Sequence, residues 1–252
     1  MPASRVSVAA TTEFVALPED GRVYSHEVSP GFADTAPSGR IRLDAVARWL
    51  QDVAYADVAD AGMERAAVWV VRRSRIAVVE FPRFGERFSL ATFCSGLGRM
   101  WAERRTNVTR LGEDRPCVEA VSLWVHLDPD TWRPTPVTPE ELEIYGGAAG
   151  DRRVTARLRH PGPEAAINGH GRSTWRFRAT ECDLADHVNN AAFWQPLEEE
   201  LLGGAEPERI DAEIEYRTPA QPGTVEVLRD GGTRWLIGGE GETLASIIVA
   251  GS

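Results

Sequence analysis

No lysine occurs anywhere in the 252 residues; all 28 basic side chains are arginine. That absence excludes Schiff-base chemistry on an ε-amine and a phosphate-binding loop built on lysine. Cysteine is nearly as scarce. Cys94, Cys117 and Cys182 are too few and too scattered for a disulfide framework or a thiolate zinc site, so no metal is expected and a reducing, cytoplasmic setting fits best. No apolar run approaches membrane-spanning length, and residues 1–17 lack the basic start and unbroken apolar stretch of a secretory signal. Excess positive charge is missing too. At a net charge of −10 a general nucleic-acid or anionic-membrane surface is not expected, although a local arginine patch could receive an acidic partner.

What is present suits a folded core: 42% hydrophobic residues, with eight Trp and eight Phe, in a length that permits one large domain or two small ones. Residues 22–29 read as a strand. Residues 43–62 carry Val46, Leu50, Val53, Ala54 and Val58 at helical spacing and stop at a glycine. β-rich runs follow at 68–81, 86–95, 100–111 and 116–127, separated by short turn sequences. The Pro- and Gly-punctuated stretch 128–171 reads as a linker laid over the surface, with a short helical piece at 140–145. Then the order begins again: a strand at 174–180, a polar loop, a helix at roughly 191–202, and strands at 209–217, 224–229, 233–238 and 243–250. The second half repeats the first in shorter form, which predicts two units, 20–136 and 171–252, joined by a linker at 137–170.

The polar loop of the second unit, Glu181-Cys182-Asp183-Leu184-Ala185-Asp186-His187-Val188-Asn189-Asn190, holds two titratable groups of complementary kind, Asp183 and His187. A carboxylate beside a helix start can attack a carbonyl carbon or activate a water while free N–H groups of the first turn stabilise the oxyanion. The bland alternative is that Asp183 or Asn189 merely caps the helix and His187 lies on the surface. An ungapped overlay of the units sets Ala36 against Asp183 and Arg40 against His187, so at most one of the two loops carries this pair. A pseudo-dimer with a single working site is the expectation.

Helix-plus-meander units in tandem, with an acid just before the second helix, resemble the acyl-acyl-carrier-protein (acyl-ACP) thioesterases, a tandem hot-dog α+β fold in which each unit wraps an antiparallel sheet around a long helix. In the first unit the resemblance rests on 43–62, on Val68-Trp69-Val70-Val71-Arg72-Arg73, on Phe81-Pro82-Arg83-Phe84-Gly85-Glu86, on Arg104-Arg105 and on Ser122-Leu123-Trp124-Val125. In the second it rests on Cys182-Asp183, on His187-Val188-Asn189-Asn190 and on Ile214-Glu215-Tyr216-Arg217. The family pattern Asp-x-Asn-x-His-Val-Asn-Asn is met except that Ala185 stands at the first Asn, and a later family acid falls near Pro219.

The resemblance implies hydrolysis of a fatty acyl thioester, on acyl carrier protein or on CoA, with no cofactor. It makes Asp183 nucleophile or general base and gives His187 and Asn189 catalytic roles beside it. Asn189 and Asn190, at the helix start, would polarise the carbonyl. An acidic carrier would dock on Arg72, Arg73, Arg104 and Arg105, and the chain would be a monomeric pseudo-dimer or a homodimer. Two other readings keep parts of this: a hot-dog enoyl-thioester hydratase or dehydratase, and a non-catalytic acyl-carrier-binding protein.

Overall fold

The computed structural model describes residues 12–63, 68–166 and 171–250. Its ten strands are β1 (Val23–Val28), β2 (Val68–Val78), β3 (Phe88–Leu97), β4 (Trp101–Arg110), β5 (Pro116–Leu127), β6 (Arg172–Phe177), β7 (Ile210–Tyr216), β8 (Gly223–Asp230), β9 (Thr233–Ile237) and β10 (Thr243–Val249). All pair antiparallel in one sheet ordered β1-β3-β4-β5-β2-β7-β10-β9-β8-β6. The order repeats in mirror image about the β2–β7 junction. This is the tandem hot-dog α+β fold, two five-stranded halves fused edge to edge so that neither inner edge is left unpaired.

At the junction, Ser74 pairs with Ile214 and Ile76 with Ala212. Strand alternation sends Ile76, Val78, Ile210, Ala212 and Ile214 into the core, and Arg73, Arg75, Asp211, Glu213 and Glu215 to the opposite face. Helix α1 (Leu43–Asp60) lies on the core side, burying Leu43, Val46, Leu50, Val53 and Ala54, a stripe at helical spacing. Its first turn holds the buried Asp44. Burial pushes that carboxyl up, but hydrogen bonds from Arg42 and Arg48 outweigh it and keep the group below the usual carboxylate range.

The second helical segment differs from the expected single helix at 191–202. It begins as a 3-10 turn, Asn190–Trp194, and only then becomes α3 (Gln195–Leu202). Pro196 supplies the reason: it has no N–H to offer, and its ring crowds the carbonyl four residues back, at Ala192. Gln195 N–H bonds to Ala192 O instead, in the tighter pattern.

The expected linker is also more structured than its composition suggests. Helix α2 (Pro139–Ala149) is closed by a capping box between Thr138 and Glu141 and packs on β3, where Ala149 meets Cys94 and Leu97. Gly21 is required there, since a Cβ at that position would sit 2.2 Å from the Ala148 nitrogen. Beyond α2 the chain straps the outer sheet face, pairing Arg153 with Leu97 and giving the Arg159 and His160 N–H groups to Glu215. The segment from Thr12 does the same from the other end: Thr12 N–H bonds Glu213, and Phe14 is sandwiched between the Arg75 and Arg105 guanidiniums at 4.4 and 4.9 Å. No helix among the described residues is long and apolar enough to cross a membrane.

Candidate active site

The loop singled out from the sequence folds as a tight hairpin. Cys182 and Val188 form an antiparallel bridge, Asp183 N–H bonds His187 O at 3.0 Å, and Asp186 closes the turn with φ at 57°, a conformation that a short polar side chain tolerates. Buried Val188 anchors the hairpin through its N–H to Ala220 O, and Gln221 Nε2 bonds Asp186 O. Opposed residues of an antiparallel pair share a face, so Asp183 and His187 project together, with Cβ atoms about 5 Å apart. The pair stands at the protein surface: Asp183 is exposed, His187 half-buried, and Leu184 between them is wholly exposed.

Both carboxylate oxygens of Asp183 are nevertheless fixed. Oδ1 accepts from Ala185 N–H at 2.9 Å and Oδ2 from Asn189 Nδ2 at 3.0 Å. The Asn189 amide is itself fully determined. Its Oδ1 caps the 3-10 turn by accepting from Ala191 N–H at 2.9 Å, which forces Nδ2 the other way, and the second Nδ2 hydrogen goes to Gln51 Oε1 at 3.0 Å. Gln51 belongs to α1 of the first unit. The site is therefore shared between the units, a feature that reading the loop alone misses.

This geometry changes one expectation. Asn189 is not placed as an oxyanion donor, because both amide hydrogens are occupied and its own N–H bonds Glu181 O at 2.8 Å. It orients Asp183 instead. Ala191 and Ala192 N–H both go to Asn189, so among the described residues the backbone donor left at the start of the turn is that of Asn190. Asn190 O is held in turn by Tyr216, whose hydroxyl donates to it at 3.0 Å and accepts from Trp194 Nε1 at 3.2 Å. Burial pushes the Tyr216 phenol well above its usual range and so keeps that donor protonated.

Behind Gln51 and Asn190 lies a narrow pocket of about 10 Å³ between α1, β2, β5 and the 3-10 turn. Leu50, Val71 and Trp194 give it apolar walls, and Ser74, Ser122 and Trp124 line its sheet side. An open groove of about 620 Å³ runs beside the hairpin, between residues 176–180 and Pro222-Gly223.

The equivalent loop of the first unit keeps the hairpin and loses the chemistry. Thr35 bridges Ile41, and Ala36 N–H bonds Arg40 O at 2.8 Å, as Asp183 does with His187. Arg40 is buried, lies over the Phe81 ring, and ion-pairs with Glu198 of α3 at 2.7 Å and Glu206 at 2.6 Å. The same sequence offset that relates Asp183 to Ala36 relates Glu198 to Gln51. Each unit thus sends one polar helical side chain to the other unit's loop: an amide at the Asp183 loop, a carboxylate at the Arg40 loop.

The four arginines expected to receive a carrier do not form an outward patch. Arg73 and Arg105 are buried on the strapped face, bonding Arg157 O and Glu119. Arg104 turns inward to Asp57 at 2.5 Å, and Arg72 bonds Arg217 O at 3.1 Å. Sequence alternation alone does not reveal that the face opposite the core is covered by chain. Two other reactive groupings are sealed. Burial pushes the Cys94 and Cys117 thiols up to about 11, away from thiolate chemistry. Ser246, His160 and Glu213 line up through bonds of 3.0 Å each, but the His160 and Glu213 side chains are wholly buried under the strap, beyond reach of a substrate.

Comparison with known proteins agrees with the architecture. Residues 21–145 match the family model for the acyl-ACP thioesterase N-terminal domain. An uncharacterised protein of Mycobacterium tuberculosis is 27% identical over 213 residues, covering 83% of this chain and 82% of that protein. The chloroplastic oleoyl-acyl carrier protein thioesterase of Coriandrum sativum is 23% identical over 241 residues, covering 85% of this chain and 64% of that protein. The solved 12:0-ACP thioesterase of Umbellularia californica superposes with a TM-score of 0.71 at 18% identity, covering 90% of this chain and 96% of that one.

Proposed function

Since this chain belongs to the acyl-ACP thioesterase family, whose members hydrolyse thioesters, we propose that its own substrate is a fatty acyl thioester on acyl carrier protein, cleaved at the Asp183 hairpin. The observation that carries the reading is the doubly anchored Asp183 carboxylate, presented beside His187 and linked through Asn189 to Gln51, which lines an internal pocket. Asp183 acts as general base on a water, or attacks the carbonyl itself to give a mixed anhydride that water then hydrolyses to the free acid, and His187 protonates the departing thiolate. The free Asn190 N–H faces the developing oxyanion. Asn189 replaces the family amide lost at Ala185 as the group that orients the carboxylate, and Gln221, close to the position of the lost acid, ties down the turn instead.

Thiol release from acyl-ACP and acyl-CoA over a range of chain lengths tests the reading directly. Turnover of neither would sink it.

Gln51 gives a second test. Gln51→Ala frees one Asn189 hydrogen and is expected to lower kcat by about 10-fold, since the lost bond orients the carboxylate. Gln51→Glu keeps an acceptor for Asn189 but adds a second negative charge near Asp183. Like charge disfavours the ionised form, so the acid limb of the pH–rate profile is expected to move to higher pH. An unmoved limb would argue against Asp183 as the titrating group.

Carrier docking is assigned to the groove beside the hairpin. Arg176 and Arg178 are exposed there and make no side-chain ion pair among the described residues, so both are available to an acidic protein or a phosphopantetheine phosphate. Arg176→Glu with Arg178→Glu is expected to raise KM for acyl-ACP by about 10-fold at low salt. Turnover of the corresponding N-acetylcysteamine thioester, which has neither carrier nor phosphate, is expected to be unchanged.

A further inference from the structure

The internal pocket has mostly apolar walls, but its sheet side and mouth carry hydrogen-bond donors that a plain alkyl chain cannot satisfy. On its sheet side Ser74 and Ser122 are directly opposed across β2 and β5, both more than nine-tenths buried, with hydroxyls 2.5 Å apart. A hydroxyl has one proton to give, so their mutual bond uses one and leaves the other without an acceptor among the described residues. The Trp124 indole N–H, on the next inward-facing position of β5, is buried and has no partner either. At the mouth, Gln51 gives its oxygen to Asn189, and its NH2 group makes no bond among the described residues. Three sets of donors therefore line one small pocket, while its phenol, Tyr216, is already satisfied. A buried donor without an acceptor is costly, and an alkyl chain in contact with these groups would make that cost permanent. At about 10 Å³ the pocket is sized for a single oxygen atom with its hydrogens.

We infer that the pocket selects acyl chains carrying an acceptor oxygen, a hydroxyl or keto group along the chain, over unsubstituted fatty acyl chains. The inference rests on the acyl-thioesterase reading only for the identity of the ligand as an acyl chain. Ser74, Ser122 and Trp124 are the specificity-determining residues, with the ligand oxygen accepting from the free hydroxyl and from the indole.

Calorimetric titration of the free acids separates binding from turnover. Decanoic acid is compared with a series of hydroxydecanoic and oxodecanoic acids whose oxygen steps outward from C3. At least one oxygenated acid is expected to bind about 10-fold or more tightly than decanoic acid, since a site built to hydrogen-bond a group rejects the analogue lacking it. Ser74→Ala combined with Ser122→Ala, and separately Trp124→Phe, are expected to erase that preference while leaving decanoic acid bound as well as before or better. The serine variants remove one oxygen each, so they keep the test open if Trp124→Phe fails to fold by circular dichroism. If no oxygenated acid is preferred by more than about twofold, or if the preference survives the serine variants, the inference is overturned. Thiol release from the matching ACP thioesters is read alongside. Preferential binding without release defeats the hydrolase reading alone; release without preference defeats this one alone.

Discussion

Asp183→Ala is expected to lower kcat for thiol release by about 10²–10⁴-fold, with KM for acyl-ACP within about threefold of the unsubstituted protein. The split follows from position. The carboxylate sits on an exposed hairpin tip and no packed side chain rests on it, so its removal leaves the internal pocket and the Arg176–Arg178 groove as they were. Thermal stability should hardly change, because the lost bonds, to Ala185 N–H and Asn189 Nδ2, are solvent-accessible and water replaces them. Asp183→Asn sharpens the result: the amide is nearly isosteric and still accepts one hydrogen bond, but it can neither take a proton from water nor attack a carbonyl. Equal loss in both variants identifies the carboxylate charge as the active element. Unchanged thiol release in Asp183→Ala would remove the hairpin from the mechanism altogether, and a melting midpoint lowered in step with activity would reduce it to a structural turn.

Much of the architecture was legible because its elements obey local rules. The periodicity over 43–62 gave α1 (Leu43–Asp60), and the run at 116–127 is β5 to the residue. Where the edges moved, a local bond moved them: the run starting at 68 extends to 81 in sequence, but Val79 and Glu80 both turn their N–H groups to Cys117 O, ending β2 at Val78. The hairpin, too, was visible as a polar loop before a helical segment. Its second wall was not. Gln51 is one of several polar residues of α1, next to Asp52, and nothing within the helix says that it reaches Asn189, 138 residues away. The signal that could have found it was the repeat itself. Extending the overlay past Leu50 and Leu197 sets Gln51 against Glu198, two polar residues at matching places on helices that should otherwise bury an apolar face. The arginines failed for the converse reason, since alternation identifies which side chains leave the core but not which chain segments cover them.

Arg40→Ala is expected to destabilise the fold by about 3–5 kcal/mol, because it strands the buried Glu198 carboxylate without its cation. For a domain of this size that corresponds to a fall in melting midpoint of roughly 6–20 °C. Glu198 cannot simply turn to water: its other oxygen accepts Leu43 N–H at 2.9 Å, the first donor of α1, so the carboxylate is pinned at a helix start inside the interface between the units. Pairing Arg40→Leu with Glu198→Gln is expected to recover at least half of the loss, since glutamine still accepts from Leu43 and neither residue then buries a charge. The site at Asp183 lies on the other unit's loop, so kcat measured well below the melting midpoint should be within about twofold of the unsubstituted protein in the double variant. A shift of less than about 1 kcal/mol in Arg40→Ala would mean that solvent reaches Glu198 and that the degenerate loop is not the clamp between the units. A stability loss accompanied by a comparable loss of kcat at low temperature would instead couple the two loops through α1, which Glu198 holds at its start and whose Gln51 reaches the Asp183 loop.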